Sequence, residues 1–326
     1  MKLSDLGEFG FIERIRQAVA KAPGVMVGIG DDCAVLELPP GERLLTSTDL
    51  LIEDVHFRRA WADMHLLGRK SVSVNVSDIA AMGGTPRHLY LGLGIPTDLT
   101  VEDLDAFVAG FLAACADYGA TLVGGDTCRS PGPLLISVTV EGTVSADELV
   151  CRSGARPGDA LYVSGTLGDS ALALRQLLAG ESLEPELARR HHDPRARVEL
   201  GRILASAHIP SAMIDVSDGL LADLGHLLES SAVGAEIDQT ALPLSAPLRA
   251  AWIDDPERIE LALSGGEDYE LLFTVPPERE PALAALALSV TRIGTIVEGS
   301  AGLLMKNRSG DLRPAAPAGY NHFRQG

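Results

Sequence analysis

Apolar positions along the chain follow two periods. Phe11, Ile12, Ile15 and Val19 recur at helical spacing and predict a first helix running to about Pro23. Short apolar runs bounded by turn-forming residues follow: VMVGIG, RLLTSTDLLI, LYLGLGIP, TLVGGD and LLISVTVEGTV, each read as a strand. Helical patterns separate several of them, around Leu66–Met82 and Val101–Tyr118. Strands alternating with helices predict α/β layering. The turn-rich RSGARPGD, Arg152–Asp159, follows a long strand pair and puts a boundary near residue 149, giving domains 1–149 and 150–326. The second half repeats the style. ALYVSG, AMIDVS, YELLFTVP and VTRIGTIVEG read as strands, and Asp169–Ala179, Ala196–Ala207 and Gly219–Ser231 as helices. Between them, AGESLEPELARRHHDPRA is polar and reads as surface.

Composition narrows the class. Of 326 residues 46% are hydrophobic but only 4% aromatic, so alanine, leucine and valine do most of the packing. The 27 basic residues against 45 acidic give a formal charge of -18, which argues against nucleic-acid and membrane-surface partners, whose phosphates need basic patches. No apolar run approaches the ~20 residues of a membrane helix. The opening MKLSDLGEFGFIERI has no apolar core of a signal peptide. Cys33, Cys115, Cys128 and Cys151 are widely spaced without a C-x-x-C, so they read as reduced, buried small hydrophobes, and the expected location is the cytoplasm.

The acids carry the chemistry. GIGDDC (Asp31, Asp32), TSTDLL (Asp49), VGGDTC (Asp126) and IDVSDG (Asp215, Asp218) put Asp where a predicted strand ends, and NVSDIA puts Asp78 where a helix opens. Turn formation and helix capping explain any one of these alone. In open α/β sheets, however, ligands gather at strand C-terminal ends, so such residues can converge. An all-oxygen set suits Mg2+, which combines carboxylates with waters and substrate phosphates. Ser47, Thr48 and Ser217 add hydroxyls, and Gly30, Gly84, Gly124, Gly125 and Gly219 leave room for a polyphosphate. There is no EF-hand spacing, P-loop, protein-kinase catalytic loop or G-x-S-x-G elbow. GIGDDC also breaks the dinucleotide-binding pattern, because Asp31 stands where that turn should continue. Lysine occurs only at positions 2, 21, 70 and 306, which leaves Lys70 and Arg152 as the phosphate-contacting candidates.

GIGDDCAV, STDLLIEDVHF, NVSDIAAMGG, VGGDT, RSGARPGD, DVSDGL, SGGEDYELLF and GYNHF together resemble the thiamine-monophosphate kinase family, in order and over nearly the whole chain. That family belongs to the superfamily of aminoimidazole ribonucleotide synthetase and selenophosphate synthetase. The resemblance implies two α/β domains: an N-terminal mixed sheet with flanking helices, used for dimerisation, and a C-terminal α/β domain, with ATP and metals at their interface. It implies ATP-dependent phosphorylation of thiamine monophosphate, several Mg2+ ions and a homodimer. By motif position the metal ligands would be Asp32, Ser47, Thr48, Asp49, Asp78, Asp126, Asp215 and Asp218. Gly125, Arg152 and Ser217 would contact ATP, and His56, Glu267 and Tyr320 the thiamine part, with Asp268 as the alternative to Glu267. Read without the resemblance, His56 is equally a packed histidine, Glu267 a turn acid and Tyr320 a tail residue. No general base is needed, since a phosphate monoester with a second pKa near ~6 is already ionised at neutral pH. Two other readings remain at this level. One is another ATP-using superfamily member, with Cys33 as the nearest reactive thiol, and the other a nucleotide-binding scaffold without catalysis.

Overall fold

A computed structural model of the chain describes residues 8–20, 22–29 and 34–320. These fall into two compact units, one ending at Asp147 and lacking residues 80–83, the other formed by Ala80–Gly83 with the chain from Glu148 onward. Asp31, Asp32 and Cys33 lie outside the described residues.

The first unit begins with α1 (Glu8–Ala18) and a two-stranded ribbon of β1 (Val25–Val27) and β2 (Val35–Leu36). It continues through β3 (Glu42–Ile52), α2 (Met64–Ala81), β4 (Thr85–Ile95), α3 (Val101–Asp117), β5 (Thr121–Arg129) and β6 (Leu135–Ser145). The last four strands make a mixed sheet in the order β3-β6-β4-β5, parallel only between β4 and β5. A parallel pair needs a crossover, and α3 supplies it. Thr100 starts that helix with a capping box, its hydroxyl accepting the Asp103 N–H while the Asp103 carboxylate accepts the Thr100 N–H. Leu45, Leu51, Leu89, Leu91, Ile136, Val138 and Val140 are buried on one face of the sheet, whereas Leu44 and Leu50, on the alternate positions of β3, are each 52% exposed.

The second unit comprises β7 (Ala160–Ser164), α4 (Asp169–Leu178), α5 (Pro185–His192), α6 (Val198–Ser206), β8 (Ala212–Val216), α7 (Leu220–Ser231) and β9 (Val233–Asp238). It ends with α8 (Ala246–Asp254), α9 (Glu260–Ser264), β10 (Glu270–Val275), α10 (Glu280–Ala285), β11 (Val290–Glu298), β12 (Leu303–Lys306) and β13 (Leu312–Pro314). Its sheet runs β13-β12-β9-β11-β7-β10-β8, parallel only between β9 and β12. Both faces of β10 and of the edge strand β8 are covered. Ala212, Ile214, Val216 and Leu272 join one core with Leu220 and Leu224 of α7, while Met213, Leu271 and Phe273 join another with Leu204 of α6 and Leu283 of α10. Burial on both faces is why apolar residues stand side by side in β8 (Ala212–Ile214) and β10 (Leu271–Phe273) rather than alternating with polar ones.

Four sequence expectations are corrected. NVSD does not open a helix: Asn75–Asp78 lies well inside α2, where Val72–Ser77 are all buried. Asp49 and Asp126 lie within β3 and β5 rather than at strand ends. The polar stretch before Val198 is not all surface, because α5 turns Leu187 and His191, four residues apart, inward to 0% and 6% exposure. Finally, Cys128 is exposed and Cys151 half-buried, leaving Cys115 as the buried thiol among the described cysteines.

Candidate active site

In the first unit the alternation of β3 sorts its TSTD residues. Ser47 and Asp49 share the buried-face register with Leu45 and Leu51, and the Ser47 hydroxyl donates to Asp78 Oδ2 of α2 at 2.5 Å. One helical turn before Asp78, Asn75 accepts the Asp49 N–H on its Oδ1 at 3.1 Å. Because β3 is a sheet edge, that N–H needs a partner outside the sheet. Thr48 points to the other face, where its hydroxyl donates to the Val138 carbonyl at 3.1 Å and accepts from Thr139 at 3.0 Å. Its hydroxyl therefore does not join Ser47 and Asp78. Gly125 and Asp126 sit on β5, at the opposite edge from β3, with Asp126 exposed. A Cβ on Gly125 would lie 2.0 Å from the Leu91 carbonyl of β4, so strand packing alone requires glycine there. After β3 the chain turns through Asp54 at φ 67°, and His56 Nδ1 accepts the Ile52 N–H at 3.0 Å. That bond fixes the ring proton of a neutral His56 on Nε2. Lys70 is 4% exposed inside α2, so it is removed from the phosphate-contacting candidates, whereas Arg152 is exposed.

In the second unit three distant motifs converge on the turn between β8 and α7. Asp215 is buried near the end of β8, and Ser217 and Asp218 follow half-buried. The Glu267 N–H donates to the Ser217 carbonyl at 2.7 Å and the Tyr269 N–H to the Val216 carbonyl at 2.8 Å. From the far end of the chain, the Tyr320 N–H donates to the Asp218 carbonyl at 3.0 Å. DVSDG, SGGEDY and the terminal GY are thereby one structure. Arg152 is anchored beside α7 through its carbonyl, which accepts the Ser231 hydroxyl at 3.1 Å.

Three groups of functional weight were not singled out from sequence. Asp223, in the first turn of α7, accepts the N–H groups of Ser217, Asp218 and Gly219 on one carboxylate oxygen at 3.0, 3.0 and 3.1 Å. Burial, together with the charge of Asp218, pushes its carboxyl up to about 7. Its position five residues after Asp218 was the available signal. Arg190 and Arg197 close on the fully buried Glu270, and no motif marked them. Between the two candidate substrate acids, Asp268 is buried and accepts the Gly168 N–H at 2.8 Å, with burial raising its carboxyl well above the usual range. Glu267 keeps 27% of its side chain exposed, near His191 Nδ1 at 3.7 Å and Ser170 Oγ at 3.4 Å.

The donor chemistry fits Mg2+. Ser47, Asp49 and Asp78 in one unit and Asp215, Ser217 and Asp218 in the other offer oxygen only, the preference of a hard cation. Among the described residues no group of three or more His, Cys, Asp or Glu is arranged to hold a metal unaided. Mg2+ commonly takes one or two carboxylates and completes its shell with waters and substrate phosphates, so carboxylate pairs with a neighbouring hydroxyl are sufficient.

Comparison with known proteins follows the same lines. Residues 30–144 match the N-terminal domain of AIR synthase related proteins and residues 156–305 their C-terminal domain. Thiamine-monophosphate kinase of Haemophilus influenzae is 39% identical over 98% of this chain and 99% of its own length. The crystal structure of thiamine-monophosphate kinase from Stenotrophomonas maltophilia superposes with a TM-score of 0.81 at 38% identity, covering 92% of this chain and 96% of that one. A structure described as AaThiL complexed with AMPPCP and TMP has a TM-score of 0.78 at 39% identity, covering 99% of both chains. The chain therefore belongs to the thiamine-monophosphate kinase family, within the AIR synthase related proteins.

Proposed function

We propose that this protein phosphorylates thiamine monophosphate with ATP, giving thiamine diphosphate and ADP. The observation that carries the reading is the convergence of DVSDG, SGGEDY and the terminal GY on one turn, in a chain 39% identical to a thiamine-monophosphate kinase over nearly all its length. An oxygen of the substrate phosphate attacks the γ-phosphorus of ATP as the bond from that phosphorus to the β–γ bridging oxygen breaks, and ADP leaves. At neutral pH the attacking oxygen is already ionised, so the protein's work is positioning and charge compensation. Ser47, Asp49, Asp78, Asp126, Asp215 and Asp218, with Asp32 and Thr48, are the residues proposed to hold Mg2+. Bound there, it would neutralise and orient the phosphates. Arg152, Gly125 and Ser217 meet the nucleotide. His56 offers its Nε2 proton, Glu267 its negative charge and Tyr320 its ring to the cationic, aromatic thiamine moiety.

The same reading takes residues 1–149 as the domain for nucleotide, metal and dimerisation, and 150–326 as the second domain. A homodimer is supported by the sheet face carrying Leu44 and Leu50, two apolar side chains more than half exposed on one strand. The decisive experiment is incubation of the protein with ATP, Mg2+ and thiamine monophosphate, with products separated by chromatography. Thiamine diphosphate and ADP in equal amounts are expected, and no product at saturating metal would overturn the assignment.

A further inference from the structure

The chain from Gly266 into β10 turns in a way that ordinary residues avoid. Glu267 has φ 67° and Tyr269 φ 51°, both left-handed and neither a glycine. Such positions persist only where surrounding structure over-determines them. Only the first of these side chains faces outward: Asp268, Tyr269 and Glu270 are 7%, 8% and 0% exposed, while Glu267 is half-buried.

Glu270 is the anchor. Its carboxylate accepts the Ser164 hydroxyl at 2.5 Å, Arg190 Nη1 at 2.8 Å and Arg197 Nε at 2.6 Å, with Arg197 Nη2 closing a bidentate pair. Arg190 also donates to the Thr166 hydroxyl at 2.8 Å and lies 3.6 Å from Asp169. Burial alone would raise the Glu270 carboxyl, but Arg197, Ser164 and Arg190 outweigh it and hold the group below its ordinary range. The clamp is built into the backbone as well. Gly165, at φ 55°, leaves the space that the Glu270 carboxylate fills, since a Cβ there would lie 2.1 Å from its Oε1. The helix that contributes Arg190 also contributes His191, whose Nδ1 lies 2.8 Å from Ser170 Oγ and 3.7 Å from Glu267. One short element thus touches both the buried anchor and the outward acid.

We propose that Arg190 and Arg197 are positioning residues for the substrate, holding Glu270 so that the left-handed turn presents the Glu267 carboxylate to the thiamine moiety. The inference rests on the function proposed above and adds residues from a segment that carried no recognisable motif. A buried carboxylate could have been replaced by apolar packing at little loss of stability, so two arginines spent on one strand residue point to geometry rather than to folding.

The test is steady-state kinetics of Arg197→Gln and Arg190→Gln with each substrate varied in turn. The KM for thiamine monophosphate is expected to rise about tenfold or more, with the KM for ATP and kcat within about threefold of the wild type. Arg197→Lys, which keeps the charge but not the bidentate fork, is expected to fall between. In a double-mutant cycle, Arg197→Gln should add little once Glu267→Gln is present, because the arginine acts through that carboxylate. Glu270→Gln, which keeps shape and loses charge, serves where an arginine variant fails to fold, and the same selective rise is expected. Equal changes in both KM values, a lowered melting temperature with unchanged KM, or additivity in the cycle would overturn the proposal. A wild-type protein that makes no thiamine diphosphate would instead overturn the function itself.

Discussion

Asp218 and Asp223 are bound main chain to side chain: the Asp218 N–H donates to Asp223 Oδ2 at 3.0 Å, while the Asp218 carboxylate stays half-buried at the mouth of the turn. The same oxygen holds the N–H groups of Ser217 and Gly219, so a single carboxylate sets the shape of the loop that bears the proposed ligands. The three N–H groups favour the negative charge of Asp223, but burial and the charge of Asp218 outweigh them and push its carboxyl up to about 7.

Removing this acceptor is expected to cost more than a helix cap. Asp223→Ala leaves three N–H groups without their common partner, an effect on the order of 1–3 kcal/mol for buried donors left unsatisfied. It should lower the melting temperature and reduce kcat, while Asp223→Asn, which keeps an acceptor oxygen, should do less of both. Thermal melts and phosphoryl-transfer rates on the two variants check this, and an Asp223→Ala protein with wild-type values for both would refute it.

Metal dependence follows from the charge of the site. Carboxylates facing phosphates repel unless a cation intervenes, so EDTA is expected to abolish activity and added Mg2+ to restore it. Asp49→Asn should raise the Mg2+ concentration for half-maximal rate by about tenfold, the loss of roughly one charged contact. Unchanged Mg2+ titration in this variant would remove Asp49 from the ligand set.

Asp268 gives stability a pH dependence of known sign. Burial, reinforced by the neighbouring Asp169 and Glu270 charges, raises its carboxyl well above the unfolded value of ~3.9. The folded state therefore keeps a proton that the unfolded chain has released, and this group's contribution falls as pH rises above ~3.9 towards its folded value. Denaturation of wild type and Asp268→Asn across that range should show the difference between them shifting in favour of the variant as pH increases. A difference independent of pH would show that Asp268 titrates normally in the folded protein.

Assembly is tested on the open face of the first sheet. Leu44→Asp combined with Leu50→Asp places two charges on that face, where both leucines are more than half exposed. Sedimentation or light scattering should report twice the chain mass for wild type and the chain mass for the variant. A wild-type monomer, or a variant that still dimerises, would exclude this face as the interface.

Much of the architecture was legible because period and burial are coupled. The helix expected around Leu66–Met82 is α2 at Met64–Ala81, and RLLTSTDLLI lies within β3. Where one face of an element is buried the pattern declares it. β2, β12 and β13 escaped because strands of two to four residues are too short to show a period, and β9 (VGAEID) because its alternation rests on Val233, Ala235 and Ile237 alone. The NVSD stretch misled as a helix start for a related reason. Ser and Asp favour helix starts through local hydrogen bonds, but packing buries Asn75 inside α2, where it serves the edge of β3 instead.

The sequence by itself determined the two-part α/β organisation, the family and the oxygen-rich chemistry, because these depend on residue type, order and local period. It also named the motifs of the site as separate words. Only the tertiary structure decided that the SGGEDY turn and the terminal tyrosine lock onto DVSDG through main-chain hydrogen bonds, which leave no trace in side-chain identity. Only it decided that Ser47 and Asp49, rather than Thr48, take the buried face, since Leu45 and Leu51 on one set of alternate positions and Leu44 and Leu50 on the other read alike in the sequence. And it alone revealed the arginines behind Glu270, because a buried ion pair joining residues 73 and 80 positions apart has no local signature to read.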